Sequence, residues 1–239
     1  VDMQGLTRQM DPARNLVEIH QAASIKRFST GLVDLDVALC GGLARKGLGI
    51  VAGPTGIGKS MFLDQVAAHS MLQGLFVGIV SFEMAWYDHA SRIFANLTDK
   101  TIDDVNDPTS PEKEHIESVL TAMMPRLGPC VFSDMELNSS VEEVVAWVGE
   151  QSRRYGRPVD VLLLDPAKAI RRISGADRLK DDTGGERTEG VFAALRGFAK
   201  NGGVGCIWTS DHFRNRNARK GHKPDQDDVS GSSEKARAC

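Results

Sequence analysis

Residues 53–60 read Gly53-Pro54-Thr55-Gly56-Ile57-Gly58-Lys59-Ser60, a full match to GxxxxGK[ST] set between an apolar run at 48–52 and a helical pattern at 59–72 closed by Gly74. No other feature constrains the fold as strongly. A strand, a glycine-rich turn and a helix in that order let backbone N–H groups curl around phosphate oxygens, with the positive end of the helix behind them. Lys59 then neutralises the β- and γ-phosphates and Ser60 offers a hydroxyl to Mg²⁺, so ATP and Mg²⁺ are the expected ligands. The competing reading is a chance match in a glycine-rich turn, and the flanking strand and helix weigh against it.

Apolar runs at 76–82, 130–132, 159–164 and 204–209 follow, alternating with helical stretches. One helix carries Arg92; another opens at Ser110 and Pro111 and is expected to bury Ile116, Val119, Leu120 and Met123. Ser139 and Ser140, with Glu142 and Glu143 three residues on, form overlapping capping boxes for a third helix, and residues 186–200 form a fourth. Residues 99–110 read as turns. The alternation predicts an α/β fold, a mainly parallel sheet with helices on both faces, binding its ligand at the carboxyl ends of the strands. Glu83, Asp165 and Ser210 fall there.

Asp165 follows Val161-Leu162-Leu163-Leu164, a Walker B pattern suited to the second metal-side carboxylate. A strand-capping aspartate is the competing reading. Glu83, in Ser81-Phe82-Glu83-Met84, is the carboxylate best placed to orient or deprotonate an attacking water, against the alternative of a surface glutamate in an ion pair.

Composition narrows the setting. The 239 residues are 41% hydrophobic and 26% charged, as in ordinary globular proteins, and no apolar run approaches the roughly 18 residues of a membrane span. Cys40, Cys130, Cys206 and Cys239 lie far apart without a CxxC pair, which argues against a zinc ribbon or a secreted disulfide framework and for a reduced cytoplasm. Residues 1–27 are polar with a short amphipathic stretch, read as a surface helix or as a linker helix that docks on another subunit. The chain begins at Val1 rather than Met, so a processed chain or a fragment is expected.

The motifs together resemble the DnaB-type hexameric replicative helicases, a family that includes phage primase-helicases and the mitochondrial Twinkle protein and is built on a RecA-like core. Thr30-Gly31-Leu32-Val33-Asp34-Leu35-Asp36 is similar to the family's TGxxxLD entry, Ser81-Phe82-Glu83-Met84 to its SLEM, and Val229-Ser230-Gly231-Ser232 to its LxGSG turn. Arg92 stands where the family has a helix arginine. The resemblance covers residues 28–239 and implies that Glu83 is the catalytic glutamate. After the last strand the chain reads Thr209-Ser210-Asp211-His212, and His212 resembles the histidine that phage members use to sense the γ-phosphate; a solvated loop histidine is the alternative. Pro166-Ala167-Lys168 departs from the family's tyrosine-containing run.

Two basic clusters, Lys168, Arg171, Arg172, Arg178 and Lys180, then Arg214, Arg216, Arg219, Lys220 and Lys223, follow the Walker B and sensor strands. The resemblance turns both towards the channel of a ring, where they would neutralise single-stranded DNA phosphates without reading bases. An ordinary solvated surface is the competing reading. A net charge of −3 averages over such patches. The implied protein is a ring-forming, hexameric DNA helicase motor in the cytoplasm of a bacterial or phage-infected cell, or in an organelle. Its implied partners are primase or other replisome proteins. An arginine finger is expected beyond Cys239, on strands that this chain would lack. Two rivals share the phosphate loop: a RecA-, RadA- or KaiC-like ATPase, and a nucleotide-binding switch that is not a motor.

Overall fold

The computed structural model describes residues 27–137, 139–170 and 184–212. A two-residue antiparallel pair, β1 (Arg27–Phe28) and β2 (Leu43–Ala44), brackets the short helix α1 (Val33–Ala38). Then come β3 (Leu48–Gly53), α2 (Lys59–Leu72), β4 (Val77–Ser81), α3 (Trp86–Thr98), α4 (Ile102–Asn106), α5 (Lys113–Met123), β5 (Cys130–Asp134), α6 (Val141–Tyr155), β6 (Val161–Asp165), α7 (Gly184–Lys200) and β7 (Cys206–His212).

The five long strands form one parallel sheet in the order β3-β7-β6-β4-β5, as the alternating pattern predicts. Alternate residues along β6 serve opposite faces. Leu162 and Leu164 join a core with Val144 and Val148 of α6 and Leu195 of α7, whereas Val161 and Leu163 join one with Leu63, Val66 and Met71 of α2 and Ile93 of α3. Both faces are therefore covered, which is why β4 and β6 read as unbroken apolar runs. The register sets Ser81 abreast of both Asp165 and Asp134, and Gly53 abreast of His212, so the carboxyl ends make one rim.

Three expectations are corrected. The turn-rich stretch contains α4, opened by a capping box in which Thr101 Oγ1 accepts from the N–H of Asp104 and Asp104 reaches back to the N–H of Thr101. Of the four apolar residues assigned to α5 only Ile116 is fully buried; Val119, Leu120 and Met123 are half-buried, because α5 lies outside α3 rather than on the sheet. The doubled capping box resolves to Ser140 with Glu143, while Ser139 donates to the Glu136 carbonyl. The amphipathic stretch before residue 27 and Val229 to Ser232 lie outside the described residues.

Candidate nucleotide site

The TGxxxLD segment is a carboxylate-centred turn. Asp36 accepts from the N–H and hydroxyl of Thr30 at 2.8 and 2.9 Å, from the hydroxyl of Ser29 and from the N–H of Gly31. Burial works against the charge, but these donors outweigh it and hold Asp36 below the usual carboxylate range. Gly31, at φ +80°, lies so close to His69 of α2 that a Cβ would meet the ring at 2.7 Å, so the turn docks on the phosphate-loop helix.

Within the loop, Gly56 and Gly58 hold φ of +80° and +98°, left-handed values that glycine adopts freely. Gly58 is the N-cap of α2 and no side chain caps that end, so the first N–H groups of the helix are left for an anion. Lys59 Nζ donates to the carbonyls of Gly53 and Pro54 at 3.1 and 2.8 Å. Gly53 is buried, whereas Pro54 and Ile57 form the exposed outer side of the loop.

A cleft of about 240 Å³ opens over this loop, lined by Thr55, Gly56, Gly58, Lys59, Ser60 and Met61 from one side and by Glu83, Arg92, Asp165 and Ser210 from the other. Asp165, only 6% exposed, ends β6 and accepts from the hydroxyl of the buried Ser210. Thr209 Oγ1 donates to the Leu164 carbonyl at 2.9 Å and accepts from the N–H of Ala167 at 3.0 Å, which fixes the backbone on both sides of Asp165. The turn that presents Glu83 is fixed as firmly: the N–H of Phe82 donates to the Asp165 carbonyl at 2.9 Å, and the N–H of Met84 to Ser81 Oγ at 3.1 Å. Glu83 itself is exposed, two residues past the end of β4.

Ser60 and Asp165 thus face one cleft with a hydroxyl and a carboxylate, hard oxygen donors that suit Mg²⁺. No cluster of three or more His, Cys, Asp or Glu able to hold a metal occurs among the described residues. A larger hollow of about 490 Å³, lined by Met71, Ile93, Phe94 and Phe132 among others, has no charged group in its wall. Burial pushes the Cys130 thiol up to about 12 and raises that of Cys206 too, so neither offers a thiolate.

The structure brings Glu83, Lys59, Ser60 and Asp165 together from three separate stretches of chain. His212 is corrected from a loop residue to the last residue of β7, because β7 stays paired with β3 as far as Gly53. Lys168 is exposed in the single turn at Ala167–Ala169, just past Asp165. Arg171, Arg172, Arg178, Lys180, Arg214, Arg216, Arg219, Lys220 and Lys223 lie outside the described residues. Sequence reasoning gave no site role to Arg92 and missed Asp64 and His89. Asp64 is a fully buried carboxylate among the mostly apolar buried residues of α2, 2.6 Å from His89 Nδ1 and 3.5 Å from Arg92 Nη1. Its signal was a charge one helical turn after Ser60. Burial pushes its carboxyl above the usual range, with the His89 hydrogen bond and Arg92 opposing.

The family model described as the DnaB-like helicase C-terminal domain matches residues 28–236. Among solved structures, a DnaB-like replicative helicase described with its interactions with primase superposes with a TM-score of 0.78 at 16% identity, over 97% of this chain and 55% of that one. A second solved structure, described as an ATPase domain, superposes with a TM-score of 0.75 at 15% identity, over 97% of this chain and 81% of that one. The DNA repair protein RadA of Treponema pallidum (strain Nichols) is 25% identical over 140 residues, 55% of this chain and 31% of RadA. The chain therefore spans about half the length of that replicative helicase and about a third of RadA. The fold is the expected RecA-like one. Among the described residues no helix is long and apolar enough to cross a membrane.

Proposed function

The chain belongs to the DnaB-like helicase C-terminal domain family, and from that premise we propose that it is the ATP-hydrolysing motor of a replicative DNA helicase, working as a ring on single-stranded DNA. The observation that carries this reading is the single cleft in which Lys59 and Ser60 of the phosphate loop meet Glu83 and Asp165. Loop N–H groups and the Lys59 ammonium bind the triphosphate, exchanging the carbonyls of Gly53 and Pro54 for phosphate oxygens. Ser60 and Asp165 would hold Mg²⁺, which when bound neutralises charge on the β- and γ-phosphates. Ser210 keeps the Asp165 carboxylate in one orientation by donating to it. Glu83, on its braced turn, orients the attacking water and accepts its proton.

The basic clusters that follow β6 and β7 in the sequence would carry the DNA contacts, with His212 at the end of β7 linking the phosphate side to the second of them. In this reading the ring is a hexamer, nucleotide sits between subunits, and primase or another replisome protein is a partner. A recombination ATPase is favoured only by the distant match to RadA. The test is binding of a labelled single strand across a salt series, with and without a non-hydrolysable ATP analogue, followed by unwinding of a forked duplex. A motor binds more weakly as salt rises, with a slope that counts phosphate contacts, responds to the analogue and opens the fork. Salt-insensitive binding, or strand exchange without fork opening, contradicts the proposal.

A further inference from the structure

Asp64 stands four residues beyond Ser60 on α2, one helical turn behind the phosphate end, while His89 and Arg92, three apart, share a face of α3. The Asp64 carboxyl group spans the two: Oδ1 lies 2.6 Å from His89 Nδ1, and Oδ2 lies 3.5 Å from Arg92 Nη1. Asp64 and His89 are closed to solvent; the Arg92 side chain keeps 26% exposure and reaches the cleft. Arg92 Nη1 also lies 3.3 Å from Met84 Sδ, and among the described residues the guanidinium has no further hydrogen-bond partner. Most of its five N–H donors are therefore unspent, in the cleft that Glu83 also lines.

We propose that Asp64 and His89 form a buried clamp that aims Arg92 at the terminal phosphate of a nucleoside triphosphate, so that the cleft distinguishes ATP from ADP. The inference rests on the nucleotide-site reading above. If the pair only joined two helices, apolar residues of similar volume would serve as well or better, since a carboxylate buried this deeply is costly. His89 Nε2 is buried without a partner, a further cost with no packing return. What the pair does provide is a fixed negative charge behind the guanidinium. At 3.5 Å that charge orients Arg92 without spending its remaining donors. Arg92 follows Glu83 on the same chain segment, on the side of the cleft where water must attack, and so on the side of the terminal phosphate. Asp64 and His89 are thus positioning residues, and Arg92 is the group that touches the ligand.

The test is calorimetric titration of the whole chain with Mg-AMPPNP and with Mg-ADP. Wild type is expected to bind AMPPNP about tenfold tighter than ADP, the worth of one charge-assisted contact. Arg92→Ala and the paired Asp64→Leu/His89→Leu variant should each bring the two affinities to within about twofold by weakening AMPPNP alone, and combining them should add nothing. Asp64→Asn removes the charge at constant volume and should give the same loss, so the outcome does not hang on the leucine pair folding. Preserved tenfold discrimination in the clamp variants, or equal affinities in wild type, overturns the inference. Lys59→Ala separates the two levels. If it abolishes binding of both nucleotides while the clamp variants leave the ratio unmoved, the clamp alone is wrong; if wild type binds neither nucleotide, the nucleotide-site reading falls and the clamp with it.

Discussion

The two walls of the cleft are built in opposite ways. The phosphate loop is eight consecutive residues whose groups are placed by backbone: two left-handed glycines, an uncapped helix end and one lysine on the first turn. The facing wall has no continuous segment, since Glu83, Arg92, Asp165 and Ser210 come from the turn after β4, from α3, from the end of β6 and from β7. The first wall can bind phosphate wherever a strand meets a helix. The second exists only because the strand order lays β6 between β4 and β7. In the proposed function binding is therefore a local property of the chain, and hydrolysis a property of the sheet.

Breaking the local wall should have the largest effect on binding. Lys59→Ala is expected to weaken nucleotide binding by about 100-fold, the upper range for a hydrogen-bonded charge, as read by calorimetry. On the assembled wall, Ser210→Ala removes the hydroxyl that orients Asp165; turnover should fall about tenfold and recover partly at high Mg²⁺, while nucleotide binding without metal is unchanged. Gly58→Ala sharpens the contrast, because a Cβ there meets nothing within 4 Å and the cost is conformational only. A left-handed alanine should cost about 1–2 kcal/mol, or roughly 2–8 °C in Tm, together with weaker phosphate binding. The smallest effect is expected at Asp36. Its carboxyl lies below the ordinary value of 3.8, so its contribution to stability is present above that pH and is lost as pH falls through the lower folded-state value. The Tm difference between wild type and Asp36→Asn should accordingly shrink below about pH 3.8 in thermal melts.

The same division decides what the sequence discloses. The loop and the parallel sheet are legible because their signals are contiguous: GxxxxGK[ST], and apolar runs with no polar interruption where both faces are covered. Asp165 and Glu83 are legible because each ends or follows such a run. Ser210 could be placed on the rim but not assigned, since its partner is 45 residues away and only register joins them. Asp64 and His89 were hidden for the same reason: two ionisable residues on separate helices carry no common pattern until α2 packs against α3. His212 was misplaced because the last apolar residues of β7 end before its pairing with β3 does.

In the proposed function the assembled wall, acting on nucleotide held by the loop, performs hydrolysis. Glu83→Gln tests it most directly, with ATP affinity and single-turnover hydrolysis measured on the same preparation. The account predicts affinity within about twofold of wild type and a hydrolysis rate lower by at least about 100-fold, the usual worth of a positioned general base. Unchanged hydrolysis in Glu83→Gln would contradict it.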